Sequence, residues 1–241
     1  MNYFEHFSPE HIGMLLSIVT VITLSLVFVR KADDKKAGII LKVSSVMLFS
    51  LELIQDIFLL REGIDLMTIL PLHLCNIGIF VNLLACFTKG RIQGYFAEIS
   101  LVLNMPGAIG ALIFPNWTFR PFLSFTSIMC FATHMFLTFI PLALLLRRKI
   151  DAKFSHYWYG LLFMAAVSGP IYYLDIKRNV NYMFLLSPVE GSPLEWIYDL
   201  TGGRYYIPGL IVLLMTVLFF EYILITVIRS LRSRHQQRRV T

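Results

Sequence analysis

Runs of about twenty apolar residues recur from one end of this chain to the other. That is the length an α-helix needs to cross the roughly 30 Å hydrocarbon core of a bilayer. Of its 241 residues 57% are hydrophobic and 15% are charged, where a soluble domain carries about 25% charged residues. The pattern predicts an all-α, polytopic membrane protein, multi-pass in the cell membrane, built as one transmembrane domain over 1–241.

Seven spans are expected, near 11–30, 39–60, 67–87, 94–115, 121–146, 157–175 and 207–228. Basic residues resist translocation and stay cytoplasmic. With the amino terminus outside, the inner face collects every Lys and Arg except Arg61, Arg120, Lys177, Arg178 and Arg204. That bias favours an odd number of spans, because a six-span path would put the basic tail 229–241 on the wrong side. The net charge of +6 therefore reads as topology rather than affinity for nucleic acid. The first ten residues are polar and lead into a full span, so no cleavable signal peptide is expected. The tail is also placed to touch anionic lipid.

An ionisable group inside a bilayer costs about 2.5–3.5 kcal/mol on insertion scales, so each asks for a reason. The rise along a helix places Asp56 at a depth of roughly 6 Å, His73 at roughly 9 Å and Glu52 at roughly 12 Å from the outer ends of their spans. Asn76 and Asn104 fall near 13 and 16 Å on the same scale. The fifth span is longer than the bilayer needs, and an outward surplus lifts His134 to roughly 10 Å, level with His73. Four spans then offer polar groups to one layer in the outer half. Glu52 and Asp56 share a helix face with Gln55 beside them, and His73 shares one with Asn76 but not with Cys75. Thr126, Cys130, His134 and Thr138 form a stripe at four-residue steps.

Two spans look interrupted, at Asn104-Met105-Pro106-Gly107 and at Ser168-Gly169-Pro170, since proline removes a backbone hydrogen bond. Such a break is tolerated where it faces protein or a water-filled cavity. The connection over 176–206 is unusually long, yet apolar and aromatic, with Asn181 and Tyr182 in it, and it reads as an outer cap or re-entrant segment.

Blander readings stand beside these. An intramembrane histidine often bonds a neighbouring helix, and a free cysteine often acts as a small hydrophobe. Cys86 is read that way outright. Glu98 and Glu221 are expected to pair with Lys42 or Arg91. His6, His11, His156 and His235 are expected to be solvated, and Tyr157 to Tyr159 form an aromatic belt. Asn116-Trp117-Thr118 matches a glycosylation acceptor but sits against the membrane. No disulfide framework, metal-ligand spacing or cofactor motif is present.

The stretch Leu70-Pro71-Leu72-His73-Leu74-Cys75, the later Asn181-Tyr182-Met183-Phe184-Leu185 and the closing Tyr205-Tyr206-Ile207 resemble the YwaF-like bacterial integral membrane proteins over roughly 70–210. That family is in turn distantly similar to the transmembrane protein 164 acyltransferases, which are thought to move fatty acyl chains between phospholipids with an intramembrane Cys and His. The resemblance implies His134 as the histidine and Cys75 as the nucleophile.

Two functions remain open on these residues. One is an acyltransferase or hydrolase acting on membrane lipid esters, with Cys75 or Thr138 as nucleophile, His134 as base, and His73 and Asn76 at the oxyanion. The other is a proton-coupled transporter or binding protein whose solute meets Glu52, Asp56, Asn76, Asn104, Cys130, Thr138, Asn181 and Tyr182. A scaffold without chemistry is a third. Membrane lipids are the expected partners, and the oligomeric state stays open.

Overall fold

A computed structural model describes residues 4–237, with the backbone alone for 228, 229 and 231–237. The end of the expected basic tail, 238–241, and the side chains of Arg229 and of 231–237, His235 among them, lie outside the described residues. Every regular element described is helical: α1 Pro9–Lys31, α2 Asp34–Arg61, α3 Leu66–Ile69, α4 Leu74–Phe87, α5 Gly90–Ile99, α6 Met105–Ile113, α7 Phe125–Leu146, α8 Tyr157–Arg178, α9 Pro193–Thr201 and α10 Tyr206–Gln237. Six helical stretches are long and apolar enough to cross a membrane: α1, α2, the combined α5–α6, α7, the stretch through α8, and α10. At 14 residues, α4 rises only about 21 Å and falls short of a full span by itself.

The starts and stops are local chemistry. Ser8, Asp33, Ser124 and Ser192 each accept an amide at the head of the following helix, filling donors that the helix leaves unpaired. Asn179 ends α8 with a left-handed φ of 53°, the conformation in which helices commonly terminate.

Two expectations about the spans are corrected. The third span is not one helix over 67–87. Leu70 precedes Pro71 and is extended, at φ −56° and ψ 140°, because the proline ring disfavours a helical residue before it. The helix restarts only after His73, which sits at its N-cap, so the shared helix face of His73 and Asn76 does not exist. The fourth span is not broken. A π-helical turn over Ser100–Asn104 joins α5 to α6, and the Met105 amide reaches back to Ser100 O. Pro106, at the second position of α6, occupies a first-turn site where its missing donor does little harm. Pro170 in α8 and Pro141 in α7 also sit within continuous helices.

α2 packs on α7 and α4, α4 on α5, and α6 and α1 on α7. The combined α5–α6 stretch and α7 are the most enclosed of the spans, whereas α1, α8 and α10 face mostly outward. At one face of the bundle His6 Nε2 donates to Pro115 O (3.1 Å) and Arg120 pairs with Glu62 (3.4 Å). At the other, Arg147 donates to Ala32 O (3.2 Å) and pairs with Asp34.

Candidate intramembrane site

The break at Pro71 decides the site, because it puts Cys75 and Asn76 in the first turn of α4. Amides in a first turn have no intrahelical acceptor, and no side-chain cap takes them here. Asn76 donates its side-chain amide to the Glu52 carboxylate of α2. Also on α2, the Gln55 amide lies 3.8 Å from Cys130 Sγ of α7. Cys75 lies within electrostatic reach of both Glu52 and Cys130, and its thiol makes no hydrogen bond among the described residues. Asp56 is half-buried near Glu52 and has no polar partner there.

The two histidines are held in opposite tautomers. His134, 8% exposed, has Nδ1 2.7 Å from Cys130 O. A carbonyl only accepts, so Nδ1 carries the proton and Nε2 is left with its lone pair. For His73 the partner is an amide: Met183 N donates to its Nδ1 (3.2 Å). His73 therefore presents Nε2–H as a donor. The two rings lie within electrostatic reach of each other.

Remote side chains lock these rings. Trp117, from the connection after α6, stacks on His134 with centroids 5.2 Å apart. His73 stands between Tyr182 and Phe184, at 5.4 and 5.2 Å. That clamp needs Met183 and Phe184 both at positive φ, 54° and 57°, which costs a residue with a side chain of order 1–3 kcal/mol. Side chains hold it there. Asn181 accepts Leu186 N (2.9 Å) and donates to Ser187 O (2.9 Å). Asp175 accepts Tyr182 N (3.0 Å), and the hydroxyls of Tyr182 and Tyr206 donate to Met67 O and Phe184 O.

Other expected site residues take quieter places. Thr138 donates to His134 O (2.9 Å), a back-bond within its own helix. Asn104 is 0% exposed in the π turn, and neither atom of its amide has a partner among the described residues. Sequence reasoning missed Trp117, Gly78 and the backbone of Met183, which carry no titratable side chain to draw notice. Three histidines read as solvated have protein partners, His6 through its bond to Pro115 O. His11, 0% exposed, donates to Leu112 O (2.8 Å), and His156 bonds Glu98 (2.9 Å). Glu98 is paired as expected, but with His156 and Tyr222 rather than Lys42 or Arg91.

A cavity of about 390 Å³ lies elsewhere, among α1, α2 and α7. Phe28, Ile40, Met135 and Phe139 help to line it. Met135 and Phe139 are on the side of α7 turned away from His134, by the 100° step between helical residues. The polar residues thus meet one another and the 182–184 segment rather than ring this cavity.

Fold and site together define a multi-pass, all-helical membrane protein with a buried cluster of His, Cys, Asn and Glu between its spans. The chain belongs to the TMEM164 family, whose sequence model matches residues 6–222. No curated protein and no solved structure matches it.

Proposed function

We propose that this chain is an intramembrane acyltransferase or hydrolase acting on lipid esters in the outer leaflet of the cell membrane. In this reading it crosses seven times, α4 with the Leu66–His73 stretch forming the third pass. Its amino terminus is outside, and the segment after α8 is an outer cap. The observation that carries the reading is the pair of opposite histidine tautomers, with the Cys75 thiol, which makes no hydrogen bond among the described residues, two residues after His73. A buried thiol becomes a nucleophile when a neighbouring base takes its proton, and His134 Nε2 has the lone pair to do so. His73 Nε2–H and the first-turn amides of α4 suit an oxyanion that forms only as the carbonyl is attacked. The likeness to the transmembrane protein 164 acyltransferases supports the same pair, Cys75 and His134. Thr138 fits less well as nucleophile, because its hydroxyl is engaged by its own helix.

The test uses the full chain in lipid nanodiscs with a phospholipid labelled in its acyl chain. The wild type is expected to carry label on Cys75 as a hydroxylamine-sensitive thioester and to pass it to a lysophospholipid or to water. Cys75→Ala and His134→Ala should each abolish transfer while remaining folded. Unchanged transfer in both variants rejects the reading. Accumulation of a solute driven by a pH gradient, without acyl transfer, would support the transport alternative built on Glu52 and Asp56.

A further inference from the structure

We infer that Asn104 is a further catalytic residue, whose side-chain amide donates to the oxyanion formed at Cys75. This rests on the acyl-transfer reading above and assigns a donor the sequence did not single out for that role. Asn76 is spoken for by the Glu52 carboxylate, which leaves the α4 side of the site without the side-chain donor expected there.

Two observations converge on Asn104. Its amide is fully buried, and neither its nitrogen nor its oxygen has a partner among the described residues. A stranded buried amide is costly, and almost all such groups find partners. The neighbouring polar groups of the same region do: Ser100, at the other end of the π turn, donates to Asn82 Oδ1 (2.8 Å), and Asn82 donates to Gly78 O (2.8 Å). Asn104 is left open, in a π turn, and π turns inside helices frequently mark functional sites.

Its location is the second observation. The Asn104 amide nitrogen lies only 2.3 Å from where a β-carbon on Gly78 would stand, so the amide occupies the space this glycine leaves. Gly78 is three residues after Cys75 in α4, on the same face, where side chains are about 5–6 Å apart at their β-carbons. A carbonyl joined to Cys75 Sγ spans that separation.

The step balances with the residues on hand. Cys75 gives its thiol proton to His134 Nε2 as its sulfur bonds the ester carbonyl carbon. The carbonyl oxygen takes the displaced electron pair and the Asn104 N–H bonds it. Collapse breaks the carbon–oxygen bond of the ester, and His134 returns the proton to the departing alkoxide. In the second half an acceptor hydroxyl gives its proton to His134 and attacks the thioester through the same oxyanion, releasing the Cys75 sulfur, which takes the proton back.

The test compares two reactions at one sulfur in Asn104→Leu, a variant of similar shape that removes the unpartnered amide and is expected to unfold at the same temperature or higher. Acylation by the labelled phospholipid passes through an oxyanion; alkylation of Cys75 by iodoacetamide, mapped by mass spectrometry, does not. Acylation should fall by about a hundredfold or more, the usual cost of one oxyanion donor, with alkylation unchanged. Equal acylation in variant and wild type overturns the assignment and leaves the acyl-transfer reading standing. A parallel fall in both reactions also overturns it, since Asn104 would then act through packing. A wild type that never carries label on Cys75 overturns the acyl-transfer reading, and this assignment with it.

Discussion

Two polar clusters are buried in this bundle, and they differ in how completely they are satisfied. In the cluster centred on Glu98, which is 3% exposed, the carboxylate accepts from Tyr222 (2.8 Å) and His156 (2.9 Å). Tyr159 stacks on the His156 ring at 4.7 Å. Both carboxylate oxygens are bonded, and the contacts tie α5, α8 and α10 together. In the region around Cys75, among the described residues, the thiol makes no hydrogen bond, no side chain caps the first turn of α4, and neither atom of the Asn104 amide has a partner. A saturated network rigidifies a fold. A buried polar group left unpaired is costly, and almost all such groups find partners, which is the contrast on which the acyl-transfer proposal rests.

Three substitutions probe that contrast. The largest effect on stability is expected from Glu98→Leu, which strands the His156 ring at a cost of about 1–3 kcal/mol and leaves the Tyr222 hydroxyl only its bond to His156 O (3.2 Å). Thermal unfolding in nanodiscs should drop markedly, yet acyl transfer per folded molecule should hold. Lost transfer in the folded fraction would erase the distinction between the two clusters.

Gly78→Ala should fall in between. Its new β-carbon meets the Asn104 amide, and overpacking a close contact costs about 1–3 kcal/mol. Because the amide must also move, transfer should weaken along with stability. A stable variant of full activity would argue that the position of Asn104 is immaterial.

The smallest effect belongs to Asp33, outside both clusters. The Lys36 amide that it accepts at the head of α2 (2.8 Å) holds its carboxyl below the ordinary value of 3.8. A lowered pKa in the folded state means stabilisation that is present above the unfolded pKa and lost as pH falls through the folded one. Asp33→Ala should therefore lower the melting temperature slightly at neutral pH and not at all in strong acid. A difference that persists in acid would show that the cap does not act through charge.

Much of the fold was legible in the chain. Six of the expected spans are continuous helical stretches of sufficient length and apolarity; Asn76 of α4 meets Glu52 of α2, and Gln55 of α2 meets Cys130 of α7. The misses share one physical origin. Pro71 was read as sitting inside a helix, when its effect on Leu70 is to end one, and that shift moved His73 from a helix face to a cap. Pro106 was read as a break, but a wider turn absorbed it. His11 and His156 looked solvated because their partners, Leu112 O and Glu98, lie 101 and 58 residues away in the chain.

The sequence by itself determined that this is an all-helical, multi-pass membrane protein, and roughly where six of its spans lie. Hydropathy, caps and prolines act over a few neighbouring residues, so they can be read in order. Tertiary structure alone decided which polar groups are paired and which histidine nitrogen holds the proton. Those outcomes depend on atoms brought together from far along the chain, as when the Met183 amide, 110 residues on, meets His73.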